Sequence, residues 1–340
     1  MDIPTIAMMQ WNNYCCPQCH GPVILDAEAY RCSACRRTYP IVFGIPDFRL
    51  FPDPYISLED EYKKARALAD QADRVSFGDL VRFYWEITLD VPRSDAERYI
   101  HYAISGEDRG RACLETMDVQ VRERWSGKTC LEIGCGTGGF LLAARHRFHT
   151  LIGVDIALRW LVIAKKRLEG TEKRPILVCC SAEHLPFPDG TFDGVIGLHT
   201  LEHTRDQQEV LAETARTLKR GGRYFFTTPN RFSLGPEPCV RVWGVGFLPR
   251  SLADRYVRLV KGIPYRHIRL LSYFELRRLL FRVGLREWTI SPPRIAECEQ
   301  KTVSGFTRIL ITIYHTLLEL PIFSFVLQII GPFLQVMGRK

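Results

Sequence analysis

In the middle of the chain, short apolar runs alternate with segments of helical spacing. The runs at 151–155, 192–198 and 224–228 have the length of buried strands. The segments at 140–147 and 272–281 carry apolar residues at helical intervals. Strands that alternate with helices predict an α/β fold with a parallel sheet. A further strand is predicted at 285–290, with its antiparallel partner around Arg294–Glu299.

A helical connector is predicted between residues 55 and 125. This part is rich in Ala, Glu, Arg and Leu and predicts three or four helices. Ser57 and Asp60 fit a capping box, and Pro92 with Ser94 marks a second helix start. Several aromatic residues fit either an apolar substrate pocket or ordinary packing, and we assign none of them a role: Phe83, Tyr84, Trp85, Tyr99 and Tyr102.

The segment 303–338 is almost wholly apolar, with Arg308 and Glu319 as its only full charges. Its pattern predicts two helices, each with a narrow polar stripe. A helix of about sixteen residues is about 24 Å long, which is short for a hydrocarbon core of roughly 30 Å. We therefore expect an apolar hairpin that dips into one leaflet, with Arg339 and Lys340 at the cytoplasmic interface. A single tilted span, or helices packed on the enzyme or on a second subunit, are the alternatives.

Composition narrows the class of partner but does not choose one. A formal net charge of +8 favours an anionic partner, such as a phosphate-bearing substrate, an acidic membrane surface or nucleic acid. The first eleven residues carry no basic region and no long apolar run, so we expect no secretory signal. We expect a cytoplasmic protein that is peripherally or monotopically attached to the inner face of the membrane.

Five of the twelve cysteines lie between Cys15 and Cys35. Two Cys-x-x-Cys pairs, separated by twelve residues, have the spacing of a zinc ribbon over residues 12–48. We expect a closed structural Zn²⁺ site, because so short a segment needs a metal to fold. A redox role of the pairs is the alternative. The predicted ligands are Cys16, Cys19, Cys32 and Cys35.

The two Cys-x-x-Cys pairs, which we call knuckles, and the residues that come after them in the chain resemble the zinc-ribbon module that precedes many bacterial methyltransferases, including rRNA guanine methyltransferases. The residues that carry this resemblance are Arg37, Tyr39, Pro40, Gly44, Ile45, Pro46 and Asp47.

A glycine-rich turn follows the first predicted strand of the α/β part. Residues 129–139 read Thr-Cys-Leu-Glu-Ile-Gly-Cys-Gly-Thr-Gly-Gly, and Asp155 ends the next strand. Glycines are needed where the backbone bends sharply and approaches a ligand closely. The glycines and Asp155 alone fit both a dinucleotide site and a methyltransferase.

Three further landmarks resemble the class I S-adenosylmethionine-dependent methyltransferases over residues 128–284. They are Glu132, the stretch Ser181–Asp193, and Leu218-Lys-Arg-Gly-Gly222. Dehydrogenases lack this series. The resemblance implies a Rossmann-like class I sheet within residues 126–300 and S-adenosylmethionine as the cofactor.

The resemblance also implies which residues hold the cofactor. Asp155 would accept hydrogen bonds from the ribose, the glycine turn would admit the methionine moiety, and Ser181–Glu183 would frame the adenine. Ser181 departs from the family pattern, since many relatives carry Asp there. The expected cofactor-binding residues are Glu132, Gly134, Cys135, Gly136, Gly138, Asp155, Ile156, Ser181, Ala182, Glu183 and His199.

The strand 192–198 delivers His199-Thr-Leu-Glu202-His203 to the carboxyl edge of the sheet, where ligands bind in such folds. His199 is the candidate base, and His203 and His267 are further catalytic candidates. The string resembles the Glu-x-x-Glu-His metal motif of ubiquinone-pathway O-methyltransferases, with His199 replacing the first Glu. It therefore implies a divalent ion near Glu202. The alternative is that Glu202 and His203 cap the next helix.

An insertion at 230–270 follows the strand at 224–228. It carries eight Lys or Arg residues against Glu237 and Asp254, interleaved with aromatic residues. A long insertion at this edge is typical of a substrate-selecting lid. Its basic and aromatic residues suit binding to a phosphorylated head group, a membrane surface or RNA. The alternative is a basic face that is merely solvated. The predicted anion contacts are Arg266, His267 and Arg269.

The preferred hypothesis is a membrane-associated methyltransferase that acts on a hydroxyl of a lipid, a quinone or a lipid-linked small molecule. The alternative is an rRNA or tRNA base methyltransferase, which the ribbon and the basic insertion favour. A third reading is a domain that binds the cofactor only to support a partner. The sequence leaves the oligomeric state open.

Overall fold

The computed structural model describes residues 11–89, 91–122, 124–295, 300 and 305–340. Residues 1–10, which bear on the expectation about a secretory signal, lie outside the described residues.

Four short strands near the start form a small sheet of their own. They are β1 (Val23–Asp26), β2 (Ala29–Cys32), β3 (Thr38–Val42) and β4 (Ile45–Pro46), paired antiparallel in this order. Tyr14, Tyr30 and Phe48 pack together on the core of the large sheet. The Phe48 N–H donates to the carbonyl of Cys179 at 2.7 Å, so the ribbon extends an edge of that sheet.

Four helices form the connector, as the sequence predicts. They are α1 (Leu58–Ala72), α2 (Phe77–Glu86), α3 (Arg93–Ile104) and α4 (Gly106–Val121). The predicted starts are confirmed: Ser57 Oγ accepts the Asp60 N–H at 3.1 Å, and α3 begins directly after Pro92. The Ser57 side chain thereby satisfies an N–H group that has no partner inside the helix, whereas α3 starts without a side-chain cap.

The large sheet has seven strands in the order β10-β11-β9-β8-β5-β6-β7. The strands β5 to β9 are parallel, and β11 runs antiparallel between β9 and β10. The predicted α/β fold of the methyltransferase type is confirmed. The strands are β5 (Gly127–Ile133), β6 (Phe148–Asp155), β7 (Ile176–Cys179), β8 (Phe192–Leu198), β9 (Leu218–Pro229), β10 (Glu287–Ser291) and β11 (Phe333–Arg339).

Helices connect these strands and cover the sheet. They are α5 (Gly139–Ala144), α6 (Leu158–Arg167), α7 (Gln207–Thr217) and α9 (Tyr273–Arg282). The insertion after β9 contains α8 (Arg250–Lys261) and has a small core of its own around Val242, Val257 and Tyr265. It thus forms a compact unit at the carboxyl end of β9.

The end of the chain differs from the prediction of helices over 303–338. Helices α10 (Gly305–Glu319) and α11 (Pro321–Ile330) are present, but Phe333–Arg339 is the strand β11. As the antiparallel neighbour of both β9 and β10, this strand buries Leu334 and Val336. The predicted partner strand at Arg294–Glu299 falls largely on residues 296–299, which lie outside the described residues.

Arg339 and Lys340 are also placed differently from the expectation. Arg339 pairs with Arg223 of β9, and the Lys340 ammonium donates to the Leu218 carbonyl at 2.8 Å. Both therefore lie at the amino edge of the sheet, whereas α10 and α11 leave from the carboxyl edge. Pairing of the strand, rather than a membrane interface, fixes their position.

The helical hairpin formed by α10 and α11 exposes much of its apolar surface, including Ile313, Ile322 and Phe325. Over the described residues, none of the helices taken singly has the length and hydropathy of a membrane span. The segments Arg308–Glu319 and Pro321–Ile330 meet that criterion only as a pair, with a bend of 119° between them.

Candidate active site

A cavity of 1040 Å³ opens at the carboxyl ends of β5, β6 and β8. Small-molecule sites usually measure about 300–1,000 Å³, so this cavity is large enough for a cofactor and a second small molecule. The strand ends form one wall. The opposite wall consists of residues 51–57, which we call the strap, and of residues from α2 and α3.

The turn after β5 has the backbone that the glycines predict. Gly134, Gly136 and Gly138 have φ values of 73°, 49° and 74°, a region that favours glycine. A Cβ on Gly136 would meet nothing within 4 Å, because this residue borders the cavity. The turn therefore presents bare backbone to whatever fills this part of the cavity.

Asp155 ends β6 beside this turn. Its Oδ2 accepts the Gly136 N–H and its Oδ1 accepts the Ala157 N–H, both at 2.8 Å. Burial raises the pKa of Asp155 to about 6. Each carboxylate oxygen keeps a further lone pair for a ligand hydroxyl. The side chain is thus oriented by the loop and remains available to a ribose.

Glu132 lies in β5, just before the turn, and is 3% exposed. Its Oε2 has no hydrogen-bond partner among the described residues. Burial, with the charge of Asp155, raises the pKa of Glu132 well above its usual value. A buried polar atom without a partner costs about 1–3 kcal/mol, and Glu132 is not among the residues that line the cavity. The open turn and the oriented Asp155 are the features that fit S-adenosylmethionine.

The remaining predicted cofactor residues divide into two groups. Ile156, Ala182 and Glu183 line the cavity. Cys135 is packed in the core, Gly138 precedes α5, and the buried Ser181 hydroxyl has no partner among the described residues. Glu183 Oε1 accepts the Arg205 N–H at 2.7 Å, which fixes the loop after β8.

His199 lines the cavity directly after β8. Its φ of 53° is left-handed, a conformation that costs about 1–2 kcal/mol for a residue with a Cβ. Burial, with Arg109 nearby, lowers the pKa of His199 to about 4. The side chain is 39% exposed, and since it lines the cavity, a ligand there can reach it. The ring is therefore neutral at pH 7 and can accept a hydrogen bond.

Glu202 is 1% exposed, and burial raises its pKa to about 8. Its Oε2 accepts the Thr228 hydroxyl at 3.2 Å, and its Oε1 lies 3.9 Å from His199 Nδ1, beyond hydrogen-bond distance. The divalent ion predicted here is not supported: within the described ranges, only the cysteine cluster brings three or more ligand atoms together. The predicted cap is also wrong, because Asp206 caps α7.

His203 faces the cavity, and its Nδ1 lies 2.7 Å from the Tyr55 hydroxyl. His267 does not line the cavity; its ring lies edge-on to Tyr55 at 5.5 Å between centroids. Among the predicted anion contacts, Arg266 pairs with Asp254 at 3.4 Å. Arg269 donates to the Arg205 carbonyl at 2.6 Å and lines a separate 340 Å³ cleft.

The sequence reasoning missed the strap and the ion pairs that hold it. Arg159 of α6 is 6% exposed, donates to Asp53 Oδ2 at 2.8 Å and also pairs with Glu61. Asp53 belongs to the strap and Glu61 to α1, so this cluster fixes the connector and the strap to the sheet. Breaking such a buried pair on one side usually costs about 3–5 kcal/mol. No sequence pattern marks it, because the partners are far apart in the chain.

The connector supplies an aromatic wall to the cavity. Trp85 and Tyr99 are stacked, with centroids 4.9 Å apart and planes at 13°. Tyr84 packs on Trp160 of α6 at 4.5 Å. These four residues and Tyr102 line the cavity, whereas Phe83 does not. Four of the five connector aromatics thus line the cavity, and a role in binding a substrate stays a prediction.

The four predicted zinc ligands converge. Sγ of Cys16 lies 3.5 Å from that of Cys35, Cys19 and Cys32 are 3.6 Å apart, and all four sulfurs lie within 4.8 Å of one another. A Zn–S distance of about 2.3 Å implies tetrahedron edges of about 3.8 Å, so the cluster fits zinc. Both of these sulfur pairs join the two knuckles, whereas a redox pair would join cysteines of one Cys-x-x-Cys motif.

The same type of backbone turn occurs in both knuckles. His20 and Arg36 each follow the second cysteine of a pair and have φ values of 56° and 61°. Their N–H groups donate to the carbonyls of Cys16 and Cys32 at 2.8 and 3.1 Å. The repeated turn aims each sulfur pair at a common centre, which is what a four-thiolate site requires.

Comparison with known proteins agrees with this site. Residues 131–226 match the family described as "Methyltransferase domain". Methyltransferase GfsG of Streptomyces halstedii is 30% identical over 168 residues, which are 48% of this chain and 54% of that protein. The ubiquinone biosynthesis O-methyltransferase of Dechloromonas aromatica is 31% identical over 167 residues, covering 48% of this chain and 65% of that protein.

The chain thus spans less than two thirds of each of these relatives. Phosphoethanolamine N-methyltransferase 2 of Haemonchus contortus, solved with S-adenosyl-L-methionine, gives a TM-score of 0.46 at 17% identity, over 67% of this chain and 51% of that chain. Because of the family match, and because the glycine turn and Asp155 fit the cofactor, residues 131–226 form a methyltransferase domain of the S-adenosylmethionine-dependent class.

Proposed function

We propose that this chain transfers a methyl group from S-adenosylmethionine to a hydroxyl of an apolar, lipid-like small molecule at the inner surface of the membrane. A quinone or a lipid-linked intermediate would be such a molecule. The observation that carries the proposal is that one cavity of 1040 Å³ is lined both by predicted cofactor residues and by a group of aromatic side chains, which we call its cofactor half and its aromatic half.

The cofactor half consists of the glycine turn, Asp155, Ala182 and Glu183. When bound, S-adenosylmethionine supplies an electrophilic methyl group on a sulfonium. Gly136 leaves room for the amino-acid part, and Asp155 accepts hydrogen bonds from the sugar. Such binding holds the methyl group in line with an acceptor, which is the main contribution an enzyme makes to a displacement of this kind.

The aromatic half binds the acceptor in this proposal. Trp85, Tyr99 and Tyr84 offer flat apolar surfaces that suit a ring or a hydrocarbon chain. His199 faces the same space as a neutral imidazole and can accept a hydrogen bond from the acceptor hydroxyl. Several relatives, including the one from D. aromatica, are named ubiquinone biosynthesis O-methyltransferases, which supports a hydroxyl as the acceptor group.

Membrane attachment is supported by the apolar hairpin. Helices α10 and α11 lie between β10 and β11 and leave the sheet at its carboxyl edge, where the cavity also opens. Phe333, two residues after Gly331 at the end of α11, packs edge-on against His199 at 5.2 Å. An apolar acceptor in the bilayer would thus be close to the site.

Transfer of tritium from labelled S-adenosylmethionine tests the reaction. Purified protein is incubated with an organic extract of cell membranes and, separately, with extracted RNA. We expect label in the organic phase and loss of label after chemistry that cleaves methyl ethers. Label in RNA alone would overturn the proposal and favour the base methyltransferase that the basic cleft around Arg250, Arg269, Arg278 and Arg282 would suit.

Flotation with vesicles tests the membrane part. Ile322 and Phe325 are 78% and 52% exposed on α11, so Ile322→Asp with Phe325→Asp removes an apolar contact without touching the core. Burial of such side chains contributes about 1.5–3 kcal/mol each, so we expect binding to vesicles of phosphatidylglycerol and phosphatidylethanolamine to weaken at least tenfold. Phe274→Asp, at a 55% exposed position on α9, is the matched control and should bind as the wild type does.

A further inference from the structure

Tyr55 and His203 form a hydrogen-bonded pair at the wall of the cavity. The Tyr55 hydroxyl lies 2.7 Å from His203 Nδ1, although the residues are 148 positions apart in the sequence. Tyr55 belongs to the strap, and His203 follows β8 within the methyltransferase domain. Both line the cavity. The pair thus joins a segment outside the family match to the site itself.

The position of Tyr55 is fixed from behind. Its N–H donates to Asp53 Oδ1 at 2.9 Å, and Asp53 Oδ2 accepts from Arg159 at 2.8 Å. Asp53 and Arg159 are both buried. The ring of Tyr55 lies edge-on between those of His203 and His267, at 5.8 and 5.5 Å. These contacts fix the position of the Tyr55 side chain, although the residue is about half exposed.

The protonation states suit a donor and an acceptor. Burial lowers the pKa of His203 to about 4, although the charge of Asp53 opposes this, so the ring is neutral at pH 7. Burial raises the pKa of Tyr55, so the phenol keeps its proton. The phenol can then donate to Nδ1 at 2.7 Å, which is closer than its second acceptor, the His267 carbonyl at 3.4 Å, while His203 Nε2 faces the Cys239 thiol at 4.0 Å. Tyr55 is 49% exposed and is among the residues that line the cavity.

We propose that Tyr55 is a catalytic residue that accepts the proton of the acceptor hydroxyl and passes its own proton to His203. This rests on the proposed transfer to a hydroxyl. As the acceptor oxygen bonds to the methyl carbon, the carbon–sulfur bond breaks and its electron pair stays on sulfur. The acceptor proton moves to the Tyr55 oxygen, and the Tyr55 proton moves to Nδ1 of His203. The positive charge of the sulfonium thereby ends on the imidazole, near the Asp53 carboxylate.

His203 acts through Tyr55 and is a positioning residue that stores the proton. His199 differs from it, since its nearest carboxylate is 3.9 Å away and no described residue donates a hydrogen bond to its ring. The relay therefore predicts that Tyr55 and His203 act as one unit. Removing either residue should slow the same proton transfer, and removing both should lower kcat no further than removing one of them.

Kinetics of matched variants test the relay. Tyr55→Phe, His203→Asn and the double variant are assayed by tritium transfer to the membrane extract at saturating cofactor. We expect each single variant to lower kcat by about 10²-fold and the double variant by no more than the worse single one. The cofactor Kd from calorimetry should stay within twofold. Tyr256→Phe is the control, because it removes a phenol that bonds to the Trp243 carbonyl away from the cavity.

Nuclear magnetic resonance of the ¹⁵N-labelled histidine rings supplies a readout that needs no acceptor. In the wild type the shift of His203 Nδ1 should report an accepted hydrogen bond, and Tyr55→Phe should remove it. Unchanged kcat in Tyr55→Phe, multiplied losses in the double variant, or a raised cofactor Kd with unchanged kcat would each overturn the relay. A wild type that labels no hydroxyl overturns the proposed function as well, whereas an active wild type with an active Tyr55→Phe overturns the relay alone.

Discussion

Two glycines of the turn after β5 share a backbone conformation but have different surroundings. Gly134 and Gly136 have φ values of 73° and 49°, so alanine at either position costs about 1–2 kcal/mol of left-handed strain. A Cβ on Gly134 would lie 2.2 Å from Thr200 Oγ1, while a Cβ on Gly136 would meet nothing within 4 Å. Thr200 is held by its hydrogen bond to the Ile133 carbonyl at 2.9 Å and cannot move away freely.

These differences give separate expectations for folding and for binding. Gly136→Ala should lower the free energy of unfolding by about 1–2 kcal/mol, and Gly134→Ala by about 2–5 kcal/mol, because overpacking adds about 1–3 kcal/mol. The empty space above Gly136 belongs to the cavity, so a methyl group there should raise the cofactor Kd at least about tenfold, or 1.4 kcal/mol. Gly134→Ala should affect binding mainly through the displaced loop.

Urea unfolding measures the first quantity and calorimetry with S-adenosylmethionine the second, at a temperature where each variant is folded. Gly170→Ala is the matched control: its φ is also 73°, nothing lies within 4 Å of its Cβ, and it is remote from the cavity lining. It should show the backbone cost with an unchanged Kd. If Gly136→Ala bound the cofactor as tightly as the control does, the placement of the methionine moiety over this turn would be wrong.

Three further results are expected. First, because burial raises the pKa of Asp155 to about 6, the cofactor Kd should rise about tenfold per pH unit below that value, and Asp155→Asn should flatten the profile in calorimetry from pH 5 to 8. A raised carboxyl pKa means that protonation favours the folded chain, so this loss would not reflect unfolding driven by Asp155. Second, one Zn²⁺ per chain should be released by a strong chelator, detected with a metal-binding dye, and Cys19→Ser should prevent stable zinc binding. Third, Arg159→Met should lower the free energy of unfolding by about 3–5 kcal/mol in urea, because it leaves two buried carboxylates without a counter-charge, whereas Lys63→Ala at a surface pair should cost less than about 1 kcal/mol.

Elements set by local sequence could be predicted well. The strand at 192–198 has the predicted bounds, because it is a short apolar run between a turn and a polar loop. The glycine turn and Asp155 lie together since a strand, a tight turn and a helix follow one another in the chain. The four cysteines converge because their spacing fits two metal knuckles. In each case, neighbours in sequence supply the main constraint.

Long-range pairing could not be predicted in the same way. Phe333–Arg339 follows two apolar helices with no break in hydropathy, and only its ladders with β9 and β10 make it a strand. Tyr55 and Asp53 lie in an irregular strap without periodicity, so nothing local indicates that they meet His203 and Arg159. The strap side of the cavity is built from such contacts, whereas the glycine turn and Asp155 follow from local sequence.

The order of elements at the end of the chain couples the apolar hairpin to the sheet. Because β11 comes after α10 and α11 and lies between β9 and β10, a truncation before the hairpin would also remove a strand from the sheet. The hairpin is tied to the site as well: the Asn230 amide donates to the Ile329 carbonyl at 2.9 Å, and the Leu234 N–H donates to the Ile330 carbonyl at 3.1 Å. A displacement of α11 at a membrane would therefore act on β11, on the start of the insertion and on the Phe333 ring beside His199. For this reason exposed-face substitutions such as Phe325→Asp, rather than truncation, can separate membrane binding from loss of the fold.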